Sequence, residues 1–381
     1  MMKRVIKIRL NIPTEVVLPT IEVYTKAYNF VCQIGYNQND YNSISLHHKT
    51  YKIIRNTLPL TSQLTQSSRI KAAESLKQIR TIRRKGENPK CPNSKRMSIR
   101  YDQRSYSIDF IKNVVSLSTI NGRIKTEFKV PRYFQKYSNW KHKSADLFVR
   151  KNKVFLHIAV EKQQEETEQS NVIVGVDRGI NNVAVSSDNK FYTGKHVKRI
   201  CNKYHKLRQS LQSKGTKSAK RHLRKVKPKE NRFRRNINHI ISKEIVNRLP
   251  KGSVIVLEDL TDIRLKKRGK TLNRMIHGWS FYQLEQFIIY KAENRHIKIE
   301  FVSPKYTSQK CSKCNYIHKK NRKSNNFKCL NCGFQLNADL NASRNIKQDY
   351  EAIGLNQGLI VNNPIVSINP EGINQEQAQE L

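Results

Sequence analysis

Charged and apolar residues alternate at the start of this chain, where Val5, Ile6 and Ile8 stand among Lys3, Arg4, Lys7 and Arg9. The pattern predicts a short strand ending at Pro13, one member of a sheet completed elsewhere. From Thr20 the spacing turns helical through Ile21, Tyr24, Tyr28 and Val31, and again through Ala72, Leu76 and Ile79. Residues 20–95 therefore read as a helical block, closed by the basic run Arg80 to Lys85 and a loop with Pro89 and Pro92. Beyond Lys95 the period falls to two. Tyr106, Ile108 and Phe110 alternate with polar residues, as do Ile124, Thr126, Phe128 and Val130 after an Asn121-Gly122 turn. Leu147 and Val149, then Val154, Leu156, Ile158 and Val160, do the same around Lys151-Asn152. Residues 96–168 are thus expected to form an antiparallel barrel or sandwich, completed by the N-terminal strand and left through a polar linker, Gln163 to Glu168.

The second half carries apolar runs that end in acid. Val172 to Val176 reads as a buried strand delivering Asp177, and Gly179 to Asn182 turns the chain into a second strand, Val183 to Val185. Helical spacing follows through Tyr204, Leu207 and Leu211, breaks at Gly215, and resumes from Phe233 to Ile245. Val254 to Leu257 is another buried strand, ending in Glu258 and Asp259. The third acid, Asp339, lies in a helical segment, Asn337 to Ile346, with small residues where it would approach a sheet. A lone acid after a strand ordinarily caps a turn. Three carboxylates on three elements could instead converge to hold divalent cations such as Mg²⁺ for phosphodiester hydrolysis. Periodicity alone leaves Glu258, Asp259 and Asp262 open as the second member.

Charge narrows the partner. The 381 residues contain 73 Lys plus Arg against 29 Asp plus Glu, a formal charge of +44, which calls for a polyanion. Between Lys195 and Arg235 there are 17 basic residues and one acid, Glu230, so these helices expose a cationic face suited to phosphates. A membrane partner is disfavoured by the lack of a long apolar run, and a cytoplasmic protein is expected. Of seven cysteines, four form Cys311-x-x-Cys314 and Cys329-x-x-Cys332, fourteen residues apart, a spacing that suits a closed tetrahedral Zn²⁺ site. His318 between them is surplus to four thiolates.

Taken together, Gly175-Val176-Asp177-Arg178-Gly179-Ile180, Leu257-Glu258-Asp259-Leu260, Tyr306 to Cys314 and Asn337 to Ile346 resemble the TnpB family, transposon-encoded proteins related to type V CRISPR effectors. Arg235 to Ser242, Trp279-Ser280-Phe281 and Tyr290 to Glu293 support the resemblance, which spans roughly residues 1–349; Ser343 stands where Ala is usual. It implies a mixed α/β and all-β chain: a wedge β-barrel (1–19 and 96–168) interrupted by a helical recognition lobe (20–95), then a RuvC-like nuclease of RNase H-like fold (169–304). The basic helices fall at 195–249. A zinc ribbon (305–336) precedes the last nuclease helix (337–349), and an acidic, Gln- and Asn-rich tail (350–381) is expected to be disordered or loosely docked. By the same resemblance Asp177, Glu258 and Asp339 form the Mg²⁺-binding catalytic triad. The partners it implies are a guide RNA, double-stranded target DNA beside a short adjacent motif and, from the same element, a transposase. The competing readings are a DNA-binding regulator that does not cut, a recombinase acting without RNA, and a zinc-ribbon RNA scaffold.

Overall fold

The computed structural model describes residues 1–163, 170–261, 269 and 281–361, side chains beyond Ile353 excepted. The chain divides into two compact units, Met1–Glu165 and Glu166–Leu381. The linker expected at 163–168, Asp262, Trp279-Ser280 and the end of the tail fall wholly or largely outside the described residues.

In the first unit β1 (Met2–Leu10) is followed by α1 (Thr14–Asn37), α2 (Ser43–Thr57) and α3 (Ser62–Arg83). The strands β2 (Ile99–Tyr101), β3 (Tyr106–Asp109), β4 (Val114–Thr119), β5 (Gly122–Glu127), β6 (Lys141–Arg150) and β7 (Lys153–Lys162) complete it. They form two antiparallel sheets, ordered β1-β7-β6-β2 and β3-β4-β5. The N-terminal strand does pair far along the chain, with Met2 opposite Lys162 and Leu10 opposite Val154. The inner face of the four-stranded sheet, including Ile6, Ile8, Leu147, Leu156 and Ile158, shares one buried core with Ile21, Tyr24 and Leu76 of the helices. α1 starts at Thr14, earlier than the periodicity suggested, because Val17 is already buried in its first turns. α2 left no clear pattern: its buried residues are Leu46, Thr50 and Ile54, one of them polar.

The second unit opens with β8 (Ile173–Asp177), β9 (Asn182–Ser186) and β10 (Lys190–Thr193), then α4 (Lys195–Lys214), α5 (Lys217–Asn247), β11 (Val254–Glu258), α6 (Phe281–Glu293) and β12 (Lys298–Val302). Its five-stranded sheet is ordered β10-β9-β8-β11-β12. β9 runs antiparallel to β8, whereas β11 is parallel to both β8 and β12. Three short strands, β13 (Arg322–Lys323), β14 (Asn326–Lys328) and β15 (Gln335–Asn337), make a separate ribbon that leads into α7 (Ala338–Val361). α7 runs past the boundary expected at Asp349, with Lys310–Asp349 (2.6 Å) and Lys347–Glu351 (3.6 Å) ion pairs along that stretch.

Both faces of the central strands are covered, and the period of two assigns each residue to one of them. Val174, Val176, Ile255 and Leu257 face a core shared with Ile241, Ile245, Leu284 and Ile288 of α5 and α6. Ile173, Val254 and Val256 pack on the opposite side against Ile346 and Tyr350 of α7. Gly175 lies between Ile173 and Asp177 on that second side, where α7 comes so close that a Cβ would sit 2.2 Å from the Ser343 carbonyl oxygen and 2.7 Å from the Lys347 nitrogen. Only a residue without a side chain allows this approach. Gly175→Ala should therefore lower stability by about 3 kcal/mol through overpacking against backbone. Thermal unfolding of the variant against wild type measures it, and an unchanged midpoint would contradict the packing.

Candidate active site and metal centre

The same parity places the acids. Ile173, Gly175 and Asp177 share one side of β8, and Val254, Val256 and Glu258 share the matching side of β11. Val176 pairs with Leu257, so the next step of the register sets Asp177 beside Glu258 at the ends of two parallel neighbours. Asp339 stands in the first turn of α7, the helix covering that side. Glu258 and Asp339 are 7% and 6% exposed. Burial, then the charges of Glu258 and Asp339, raise the Asp177 carboxyl well above the ordinary carboxylate range. Burial raises Glu258 as well, opposed by a 2.5 Å bond from the Thr307 hydroxyl and by the nearby Arg178 and Arg322 charges.

Polar partners hold each acid. Asn182, at the start of β9, donates to Asp339 Oδ2 at 2.9 Å, and Arg322 of β13 pairs with Asp339 Oδ1 at 2.9 Å. The Arg178 side chain is buried, bonded to Glu285 of α6 (2.6 Å) and to the Glu258 carbonyl oxygen, and so ties β8 to β11 and α6. Asn345 of α7 donates to the carbonyl oxygens of Thr307 and Lys310, both at 2.7 Å, fixing the loop that supplies Thr307. Asp259 points elsewhere: its carboxylate is bonded to the backbone and hydroxyl of Thr261 and is lowered by them. Asn182, Arg178 and Thr307 all lie in stretches that stand out in the sequence, but nothing in their spacing marks their roles. Arg322 is one base among many in a basic ribbon and carries no signal at all.

The donor set suits a hard divalent cation: buried oxygen ligands, strand-end geometry, and like charges whose repulsion a cation would relieve. The three carboxylates do not lie within 4.8 Å of one another as the cysteines do, and Arg322 is the charge on Asp339 here.

The sulfurs of Cys311, Cys314, Cys329 and Cys332 all lie within 4.8 Å of one another, with Cys311–Cys332 at 3.8 Å and Cys314–Cys329 at 3.5 Å. A tetrahedron with metal–sulfur bonds of about 2.3 Å has edges of roughly 3.8 Å. The two knuckles repeat one backbone design. Cys311 and Cys329 each donate an N–H five residues on, to Tyr316 (3.0 Å) and Phe334 (2.8 Å), and accept from Asn315 (2.9 Å) and Gly333 (3.0 Å). Asn315 and Gly333 both take the left-handed conformation this turn needs, at φ 61° and 69°. Burial pushes the Cys311 thiol up to about 12, while the Tyr316 N–H pulls Cys314 down to about 6. His318 stands outside the four, its ring stacked on Tyr316 and accepting from the Lys320 N–H. This four-cysteine cluster could bind zinc.

Residues 157–268 match the family model described as a probable transposase, OrfB_IS605, and residues 281–346 match that of the Cas12f1-like TNB domain. The first span contains Asp177 and Glu258, the second the four cysteines and Asp339. Over these two spans the chain is similar to TnpB-related and Cas12f1 proteins. It is 34% identical over 220 residues to the CRISPR-associated endodeoxyribonuclease Cas12f1 of Sulfoacidibacillus thermotolerans, covering 52% of this chain and 50% of that protein. It is 31% identical to the TnpB-like protein MJ0751 of Methanocaldococcus jannaschii over 42% of this chain and 59% of that one. The Putative RNA-guided DNA endonuclease InsQ of Escherichia coli is 27% identical over 46% and 48%. The chain spans about half the length of these curated relatives. The fold resembles a solved Cas12f1-sgRNA-target DNA complex, with a TM-score of 0.64 at 16% identity over 88% of this chain and 82% of that chain. CasPhi-2 (Cas12j) bound to crRNA gives 0.53 at 10% identity, over 91% and 98%. No helix among the described residues is long and apolar enough to cross a membrane.

Two outcomes are expected. The purified protein should carry one equivalent of Zn²⁺, and Cys329→Ser should lose it with cooperative melting of the ribbon; metal-free wild type of unchanged stability would contradict the site. Because Asp177 and Glu258 are raised in the folded state, the metal-free protein holds protons that the unfolded chain has already released. Its stability should therefore fall as pH climbs from the ordinary carboxylate range through those raised values, and Mg²⁺ should restore more stability at the upper end. Melting curves across pH with and without Mg²⁺ test the sign.

Proposed function

We propose that this chain is an RNA-guided, Mg²⁺-dependent DNA endonuclease of an insertion sequence, cutting target DNA next to a short adjacent motif. The observation that carries the reading is the convergence of Asp177, Glu258 and Asp339 from two strand ends and a helix start onto one side of one sheet. In this reading the second unit is a RuvC-like nuclease of RNase H-like fold with a zinc ribbon set before its last helix, and the first unit is a wedge with a helical recognition lobe. The names of the relatives as endodeoxyribonucleases and as an RNA-guided DNA endonuclease support it. Divalent cations held by the three acids would activate a water and stabilise the leaving oxygen of the scissile phosphodiester.

The chain's own residues set the geometry of that step. Arg178 and Thr307 fix Glu258, while Asn182 orients Asp339. Arg322, neutralising Asp339 here, is placed to meet the scissile phosphate when the acid turns to a cation. The α4–α5 hairpin gives the polyanion a cationic surface, since the one acid between Lys195 and Arg235, Glu230, is buried between Arg208 and Arg234 and cannot offset the exposed bases.

The test is cleavage of matched DNA by the purified ribonucleoprotein in Mg²⁺. Asp177→Ala should lower the rate by at least about a thousandfold, as expected when a group stabilising the transition-state charge is removed. Asp259→Ala, on an exposed acid turned to Thr261, should cut at close to the wild-type rate. An Asp177→Ala protein that cuts like wild type would refute the assignment. Guided binding without cleavage by the wild-type chain would favour a regulator, and the absence of any discrete co-purifying RNA would favour a recombinase.

A further inference from the structure

The cysteine cluster and the three acids are joined by a continuous chain of buried amides. Asn341 and Asn345 stand about one helical turn apart on α7, just after Asp339, and both are fully buried. Asn341 accepts from the Ser312 N–H at 3.0 Å and donates to the Lys310 carbonyl oxygen at 2.8 Å, so it grips the backbone on either side of Cys311. Asn345 donates to the same Lys310 oxygen and to that of Thr307, both at 2.7 Å. Two carbonyl acceptors fix which end of its amide faces the loop, and the amide oxygen finds no partner among the described residues. From Thr307 the chain ends on Glu258, through the 2.5 Å hydroxyl bond to Oε1. At the other end Asn321, also buried, donates to the carbonyl oxygens of Gln309 (3.0 Å) and Tyr316 (3.4 Å) and accepts from the Leu330 N–H (3.1 Å), joining the two cysteine knuckles.

Apolar packing does little to hold the loop that these bonds secure. Between Val302 and Cys311 only Thr307 is buried, and Tyr306 beside it is exposed with φ 62°, a left-handed backbone that is costly for a residue with a side chain. The position of the loop is therefore set by what holds its two ends, β12 and the knuckle at Cys311. A buried asparagine ordinarily does no more than satisfy a loop backbone. Here, however, the bonds place one hydroxyl on a carboxylate of the proposed cation site. Removing a group that orients a metal ligand in this way changes metal affinity by about ten- to a hundredfold.

We propose that Asn341 and Asn345 are positioning residues that couple the cysteine centre to the carboxylate centre. Closing the knuckles around Zn²⁺ sets Lys310 and Thr307 so that Glu258 is held for a divalent cation, and each metal tightens the binding of the other. The coupling rests on the proposed function, which assigns Glu258 to the cation. By linkage the two sites raise each other's affinity by one common factor, within about 5- to 150-fold.

The test uses the full chain loaded with Zn²⁺ and reads binding, not cleavage. Electron paramagnetic resonance of free Mn²⁺ gives the affinity of the carboxylate centre. Competition with a zinc chelator that ignores Mg²⁺, with and without saturating Mg²⁺, gives that of the cysteines. In wild type Mg²⁺ should raise zinc affinity at least about fivefold. Thr307→Val, which keeps the shape and removes the hydroxyl, should weaken Mn²⁺ binding about tenfold and abolish the Mg²⁺-dependent gain, leaving zinc affinity without Mg²⁺ unchanged. Thr307→Ser should restore both. Asn345→Asp, isosteric but turning a carboxylate toward two carbonyl oxygens, should behave as Thr307→Val does. The two substitutions together should be no worse than either, because both act on one bond. The proposal falls if Mg²⁺ leaves zinc affinity unchanged, if Thr307→Val binds Mn²⁺ like wild type, or if the two substitutions add; should Asn345→Asp fail to fold, the Thr307 pair decides alone. Asp177→Asn separates this outcome from the function itself. Mn²⁺ binding that survives Asp177→Asn refutes the carboxylate centre and the coupling with it, whereas binding that needs Asp177 but not the Thr307 hydroxyl refutes the coupling alone.

Discussion

The second unit depends on how closely α7 can lie on β8. Gly175 permits backbone-to-backbone approach, with Ser343 and Lys347 in the space a side chain would need. That approach brings the first turn of α7, and Asp339 with it, to the end of the sheet where β8 and β11 run out. The alternation of a strand then does the rest, because residues two apart share a side and the acids follow the residues packed on α7. A slip of one residue in β11 would turn Glu258 toward α5 and α6 and bring Asp259 in its place. The choice between neighbouring acids is thus a packing decision made by Ile255 and Leu257.

Bringing like charges together is unfavourable, and the surroundings offset it unevenly. Arg178, Thr307, Asn182 and Arg322 hold the carboxylates without neutralising all of them, which leaves Asp177 and Glu258 raised. Such a cluster is poorly suited to pure scaffolding, where each buried charge needs its own partner. It is well suited to a cation that enters from solvent. The ribbon contributes twice: its cysteines fix a small domain, and its β13 delivers Arg322 to the acid that starts α7.

Much of this was legible in the amino-acid sequence because strand period and register are local properties. The return of β1 to the later sheet, the β6–β7 hairpin and the apolar runs ending at Asp177 and Glu258 follow from alternation and turn chemistry, whereas β4, which pairs with β5 across the Asn121-Gly122 turn, lies between the two expected runs. The cysteine knuckles follow from spacing. α2 escaped notice because a helix with so few buried residues leaves little periodic signal. The full length of α4 and α5 was equally hidden, since a helix covered in Lys and Arg shows its period only where it packs. Arg322 could not be found by spacing, as its role depends on a ribbon folding back onto a helix start.

The central claim is that Asp177, Glu258 and Asp339 jointly hold divalent cations. Anomalous scattering from Mn²⁺ in crystals of the protein tests it most directly. The account predicts density in coordinating contact with all three carboxylates, about 2.2 Å from the ligating oxygens, with Arg322 withdrawn from Asp339. Mn²⁺ bound elsewhere while Arg322 stays on Asp339 would contradict it.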